Sequence, residues 1–196
     1  KDNGQVIKIA RFRHQPDWVG RSVAEIAEAE EMTTVEVAVE VARNGGASVV
    51  NFSMSEEDVR HIMQVPWVAT ASDGRAYLPG ADRPHPRSYG TFARKLGHYA
   101  IREKVLGLAA AVRSMTGLPA EILGLKDRGV LRVGSVADVA VFDPKTIRDA
   151  ATFEDPHQYS EGFRYVLVNG RPAVFRGKPT GALAGRAVVH GREPSK

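Results

Sequence analysis

The order of apolar runs predicts an α/β protein. In the first third, short β-branched runs alternate with helical segments in the order strand, helices, strand, helix, strand. Such alternation implies parallel strands joined by crossover helices. Three strands cannot close a barrel, which takes eight, so residues 1–126 read as part of an incomplete barrel. After Asp127 the texture changes to short β segments and tight turns, which predicts a separate small β module over residues 127–196.

Each element has its own signal. Val6 to Phe12 is short, apolar and β-branched, as a strand should be, and His14 to Gly20 follows as a loop. Ser22-Val23-Ala24-Glu25 is a capping box that opens a helix running to about Glu31. Thr33-Thr34-Val35-Glu36 repeats the signature. The Val/Glu/Ala alternation behind it suits a strand by period alone, but the box and the Asn44-Gly45 stop favour a helix. Ala47 to Phe52 is the next strand. Ser55-Glu56-Glu57-Asp58 opens a helix with Val59, Ile62 and Met63 on one face, and Pro66 stops it. The third strand is the run from Val68, ending at Asp73-Gly74.

A polar, proline-rich loop spans Arg75 to Tyr89 and suits the rim of a site. A long helical region from about Tyr89 to Met115, broken near Gly107, comes next, and Pro119 to Leu125 adds one more turn. Beyond Asp127, the stretch Gly129 to Pro144 reads as two short β segments around a Gly-containing turn. Tyr165 to Phe175 is a hairpin through Asn169-Gly170, and Gly185 to His190 adds a strand. No internal repeat or low-complexity tract is present.

Composition narrows the function. The net charge of +4, from 27 basic and 23 acidic residues, is spread along the chain without a basic run interleaved with aromatics, so no nucleic-acid partner is expected. No apolar stretch approaches the roughly 20 residues that span a membrane. The absence of cysteine excludes disulfides and thiolate metal sites and fits a reducing, cytoplasmic setting. The chain starts at Lys1 rather than a methionine and reads as a piece of something longer.

Asp73 is the candidate catalytic residue. A carboxylate at the C-terminal end of a barrel strand stands where the loops of the active-site rim begin. An isolated Ser-Asp-Gly is more often a loop cap, so the surrounding motifs carry the decision. Those motifs are Met54 to Val59, Ser72-Asp73-Gly74, His85-Pro86-Arg87-Ser88-Tyr89-Gly90-Thr91-Phe92, Ala111 to Ala120, Asp127-Arg128-Gly129, Ala137-Asp138-Val139, Phe142-Asp143-Pro144 and Val168-Asn169-Gly170. In order and spacing they resemble the C-terminal half of the N-acyl-D-amino-acid deacylases (D-aminoacylases) of the amidohydrolase superfamily, from about Trp18 onward.

The resemblance implies the C-terminal strands and helices of a metal-dependent (β/α)8 hydrolase barrel followed by a small β-sandwich. It implies hydrolysis of N-acyl-D-amino acids to a carboxylate and a D-amino acid, with zinc as the cofactor. It places Asp73 at the end of strand 8, touching the metal site weakly or from its second layer of contacts, as general base and then general acid. Met54 aligns with a methionine lining the substrate side-chain pocket, a residue type that also fills cores. Asn51 stands where the family has an aromatic residue. His85 and Arg87 either orient a substrate carboxylate, which guanidinium matches in geometry, or stabilise the loop as a pair. His14, His61, His98, His157 and His190 read as structural or exposed.

No His-X-His motif is present, and the family's main zinc ligands lie on upstream strands that this chain lacks. Alone it is expected to be inactive, needing its missing N-terminal half or self-association. The alternatives are a dihydroorotase- or hydantoinase-like hydrolase of cyclic amides, and a non-catalytic fragment acting through assembly with a partner.

Overall fold

The computed structural model describes residues 3–188. Its elements are β1 (Ile7–Arg11), α1 (Val23–Ala29), α2 (Thr34–Arg43), β2 (Ser48–Asn51), α3 (Glu56–Met63), α4 (Arg87–Arg94), α5 (Leu108–Met115), α6 (Gly117–Ile122), β3 (Val139–Phe142), β4 (Phe163–Val168), β5 (Arg171–Phe175) and β6 (Lys178–Pro179). The helix α4 runs on into a wider π-type coil over Lys95–Arg102. Among the described residues, no helix is long and apolar enough to cross a membrane. The chain divides into two compact units, one holding residues 3–55, Asp73–Tyr89 and Ala151–Gln158, the other Glu56–Ser72, Gly90–Ala150 and residues 159–188.

In the first unit, both capping boxes form. The Ser22 and Thr33 hydroxyls accept from the amides of Glu25 and Glu36, whose carboxylates reach back to the capping residues' own amides. Those bonds hold both glutamate pKa values below the usual range. With their ends satisfied, α1 and α2 turn Ile26, Ala27 and Val37 onto Ile9, Phe12 and Trp18 to make the core of this unit. Trp18 sits on a single tight turn, Pro16–Trp18, inside the segment expected to be plain loop, and donates its indole N–H to Glu30 at 3.2 Å.

β1 and β2 pair antiparallel, with Ile7 opposite Asn51 and Ile9 opposite Val49. This corrects the expected parallel arrangement. Two helices, not one, separate these strands, and the extra helix adds one more reversal than a single crossover would.

In the second unit, Ala93, Leu96 and Ile147 form a small core flanked by Val112, Met115, Phe142 and Phe163. The helical region breaks where expected, with Gly107 capping α5. β3 to β6 form one antiparallel sheet in sequence order. The β4–β5 hairpin turns through Asn169 and Gly170, both at positive φ (49° and 76°) as a type I′ turn requires.

Two expected strands do not form, and a third does not form over its described part. Residues 68–72 join no strand ladder among the described residues; the amide of Thr70 donates to the Ser114 carbonyl at 2.8 Å. A parallel strand exists only beside neighbours, and among the described residues none pairs with this run. The first β segment of 129–144 is a loop, because Arg128 clasps Asp127 and Asp138 while the amide of Val136 bonds the Asp127 carbonyl. That closure leaves Leu131 and Val133 exposed. Residues 185–188 form no strand, and the rest of that segment, with His190, lies outside the described residues.

Candidate functional site

Asp73 and the rim loop that follows it belong to the first unit, as do Met54, His85 and Arg87. The backbone at Asp73 is left-handed (φ 47°), a conformation that Asp tolerates better than most residues. Gly74 then passes so close to the start of α4 that a Cβ there would stand 2.9 Å from Ser88 Cα and 3.2 Å from the Arg87 carbonyl oxygen. That close approach brings Arg87 to Asp73, guanidinium to carboxylate, at 2.9 Å. The Asp73 side chain remains 85% exposed.

The His-Pro-Arg sequence has a direct local effect. Pro86 has no amide proton to lose at a helix start, and His85 Nδ1 accepts from the Arg87 backbone N–H at 3.0 Å, capping α4. Burial above all, and then the positive charge of Arg87, push the His85 pKa down, against the opposing pull of Asp73. As a cap, its Nδ1 must stay an acceptor, which suits the neutral form. The ring packs edge-on against Phe153 with centroids 4.9 Å apart, and Phe153 lies 4.5 Å from Phe52. Lys8 Nζ sits 5.9 Å from the Phe52 ring centre. An aromatic ladder thus leads from the cation of β1 to the residue that caps Arg87.

Met54 is 75% exposed, just beyond Asn51 at the end of β2. Geometry therefore joins Asp73, Arg87 and His85 in one contact series, while Met54 projects from the neighbouring strand end without joining it. Sequence reasoning missed Phe52 and Phe153, which lie about a hundred residues apart and have no local signature. It also missed Lys95 in the second unit, whose Nζ donates to Thr70 Oγ1 at 2.6 Å while Thr70 Oγ1 lies 3.2 Å from Ser114 Oγ. Lys95 is only 6% exposed, and burial lowers its pKa.

Of the other histidines, His14 lies 3.7 Å from Glu40, His98 lies 3.1 Å from Glu103, and His61 is exposed on α3. His157 bridges Tyr89 and the Asp82 carbonyl. Among the described residues, no group of three His, Asp or Glu side chains could hold a metal ion. The carboxylate of Asp73 is engaged by Arg87. The side chains present therefore do not fit a zinc ion, which takes three protein ligands in a hydrolytic site.

Comparison with known proteins agrees with this frame. The sequence profile described as the Amidohydrolase family matches residues 5–174. An N-acyl-D-glutamate deacylase of Alcaligenes xylosoxydans xylosoxydans is 43% identical over 180 residues, covering 92% of this chain and 36% of that protein. The crystal structure of a D-aminoacylase superposes with a TM-score of 0.83 at 39% identity, over 92% of this chain and 37% of the other. The N-acyl-D-glutamate deacylase of Bordetella bronchiseptica, solved with zinc and a phosphonate mimic of the tetrahedral intermediate, gives 0.79 at 36% identity, over 94% and 38%. The chain spans little more than a third of the length of these relatives. With a family match across most of its residues and a relative this similar, the chain belongs to the amidohydrolase family.

Proposed function

We propose that the complete protein containing this chain hydrolyses the amide bond of N-acyl-D-amino acids in a zinc-dependent reaction, with Asp73 as proton carrier. One observation supports this best: Asp73 is an exposed carboxylate held at a rim, 2.9 Å from a guanidinium that can accept a carboxylate substrate. An exposed pair of this kind contributes only about 0–1 kcal/mol, so a substrate carboxylate can take the place of Asp73 on Arg87. The released carboxylate is then free to act as a base.

Asp73 takes a proton as a water oxygen bonds to the acyl carbon. It returns that proton to the nitrogen as the C–N bond breaks, giving a carboxylic acid and a free D-amino acid. His85, neutral and capping α4, holds Arg87 in place, and Met54 borders the side-chain pocket. The zinc ligands come from the part of the protein outside this chain, as do the strands that complete the (β/α)8 barrel over residues 1–126 and the small β-sandwich over residues 127–196. The chain works in the cytoplasm, joined to or assembled with that other part.

A substrate panel on the complete protein tests the reading. N-acetyl-D-amino acids should be hydrolysed and their L-enantiomers spared, with dihydroorotate and hydantoin untouched. Turnover of the cyclic amides alone would overturn it in favour of the dihydroorotase-like alternative.

A further inference from the structure

An Asn-Gly pair is a reactive site as well as a turn. The Gly nitrogen can attack the Asn side-chain carbon. The new N–Cγ bond closes a cyclic imide, and the carboxamide nitrogen leaves as ammonia, carrying the proton that the Gly amide gave up. Water then opens the imide at either carbonyl. The product is aspartate, or the isomer whose main chain runs through the side chain. Glycine has no Cβ to hinder the attack. Asn169-Gly170, in the turn between β4 and β5, sets these two reactants side by side in the sequence.

The structure of the second unit keeps them apart. Asn169 Nδ2, the nitrogen that must leave, donates to the Ala184 carbonyl at 2.6 Å. The Gly170 N–H, whose proton must be lost, donates to the Ala137 carbonyl at 2.9 Å. The backbone N–H of Asn169 donates to Asp138 Oδ1 at 2.8 Å. Asn169 Oδ1 is buried and meets no donor among the described residues, so negative charge that gathers there during the attack goes unstabilised. The segment that carries Ala184 is itself fastened. Thr180 Oγ1 donates to the Pro172 carbonyl at 2.7 Å and accepts from the Ala182 N–H at 3.2 Å, while the Thr180 N–H donates to the Ala173 carbonyl at 2.9 Å.

We propose that Asn169-Gly170 is a deamidation site locked by the segment 180–184. While that segment lies against the turn, the carboxamide is kept. When it lifts, the imide closes and the hairpin is lost for good. Aspartate at 169 would set an acceptor against the Ala184 carbonyl, which also only accepts, and add a like charge beside Asp138. The isomer would lengthen the main chain of a two-residue turn whose length sets the register of β4 on β5. Neither product can donate to Ala184, so the lock does not re-form. The inference is independent of the deacylase reading.

Incubation of the complete protein at mildly alkaline pH tests it. The peptide carrying residue 169 is followed by mass spectrometry for the exchange of NH2 for OH, and by isoaspartate-specific methyl transfer. Asn-Gly also occurs at Asn3-Gly4 and Asn44-Gly45, so those peptides are scored separately. Conversion at 169 should be at least about tenfold slower in the folded protein than in the same protein unfolded in urea, because it waits on a local opening. The Gly170 amide should be protected from hydrogen exchange by a similar factor. Thr180→Val removes the hydroxyl that holds Ala182. It should speed conversion at 169 about fivefold, the factor carried by one net hydrogen bond, and leave the rate at Asn44 unchanged. Equal rates in the folded and unfolded protein, a Gly170 amide that exchanges freely, or a Thr180→Val protein that converts no faster would each overturn the proposal. If that variant fails to fold, the folded-to-unfolded ratio and the exchange of Gly170 decide.

Discussion

Two buried regions of this chain are held by opposite means. Around Trp18, six apolar side chains close on one another, with one charged contact at the margin, the Glu30 carboxylate on the indole N–H, and the helices that carry half of the six are capped by their own four-residue boxes. Beneath the run 68–72, the buried knot is polar: the Lys95 amine on Thr70, Thr70 on Ser114, and the Ser114 hydroxyl on the Ala111 carbonyl at 2.8 Å. The first region gains from area removed from water. The second gains little net from its bonds but loses much if one partner is deleted. Apolar packing suits a core that only has to hold. A polar knot fixes one segment in place without a strand ladder.

The apolar core is most sensitive at Trp18. Trp18→Ala should cost about 3–5 kcal/mol, the range for deleting a large aromatic from a closed core, read as a fall in the denaturation midpoint. Thr70→Val comes next. It keeps the shape but strands the Lys95 amine, at a cost of about 1–3 kcal/mol. Adding Lys95→Met should recover most of that loss, because both partners are then apolar. A simple sum of the two single losses would mean that the knot is not a unit.

The smallest effect is in the dependence on pH. The folded pKa of His85 lies below its unfolded value, mainly through burial, so the folded form binds fewer protons. Its contribution is present above the ordinary histidine value of about 6.5 and is lost as pH falls through the folded pKa. His85→Gln should flatten the decline in melting temperature between pH 7.5 and 5 relative to the wild type. An unchanged slope would remove His85 as a titrating cap.

Legibility followed the range of each interaction. The boxes at Ser22 and Thr33 and the turn at Asn169-Gly170 are decided within four residues, and all three formed where the sequence put them. The cap of His85 on Arg87 is equally local, and the motif that carries it stood out at once. The run 68–72 has the composition of a strand, but a strand takes form only beside neighbours, and none pairs with it among the described residues. The loop at 129–134 was misread because the Arg128 clasp on Asp127 and Asp138 overrides β alternation. Nothing local announces that His157 meets Tyr89, 68 residues away.

Asp73→Asn in the complete protein is the decisive substitution for the proton-carrier role of Asp73. Asparagine keeps the shape but cannot take and return a proton. The ion pair it removes is exposed and contributes little to stability, so the melting temperature should hold. If Asp73 carries the proton, kcat for an N-acetyl-D-amino acid falls by about 10²–10⁴-fold, the usual share of a general acid-base group. A variant with kcat near that of the wild type would contradict it.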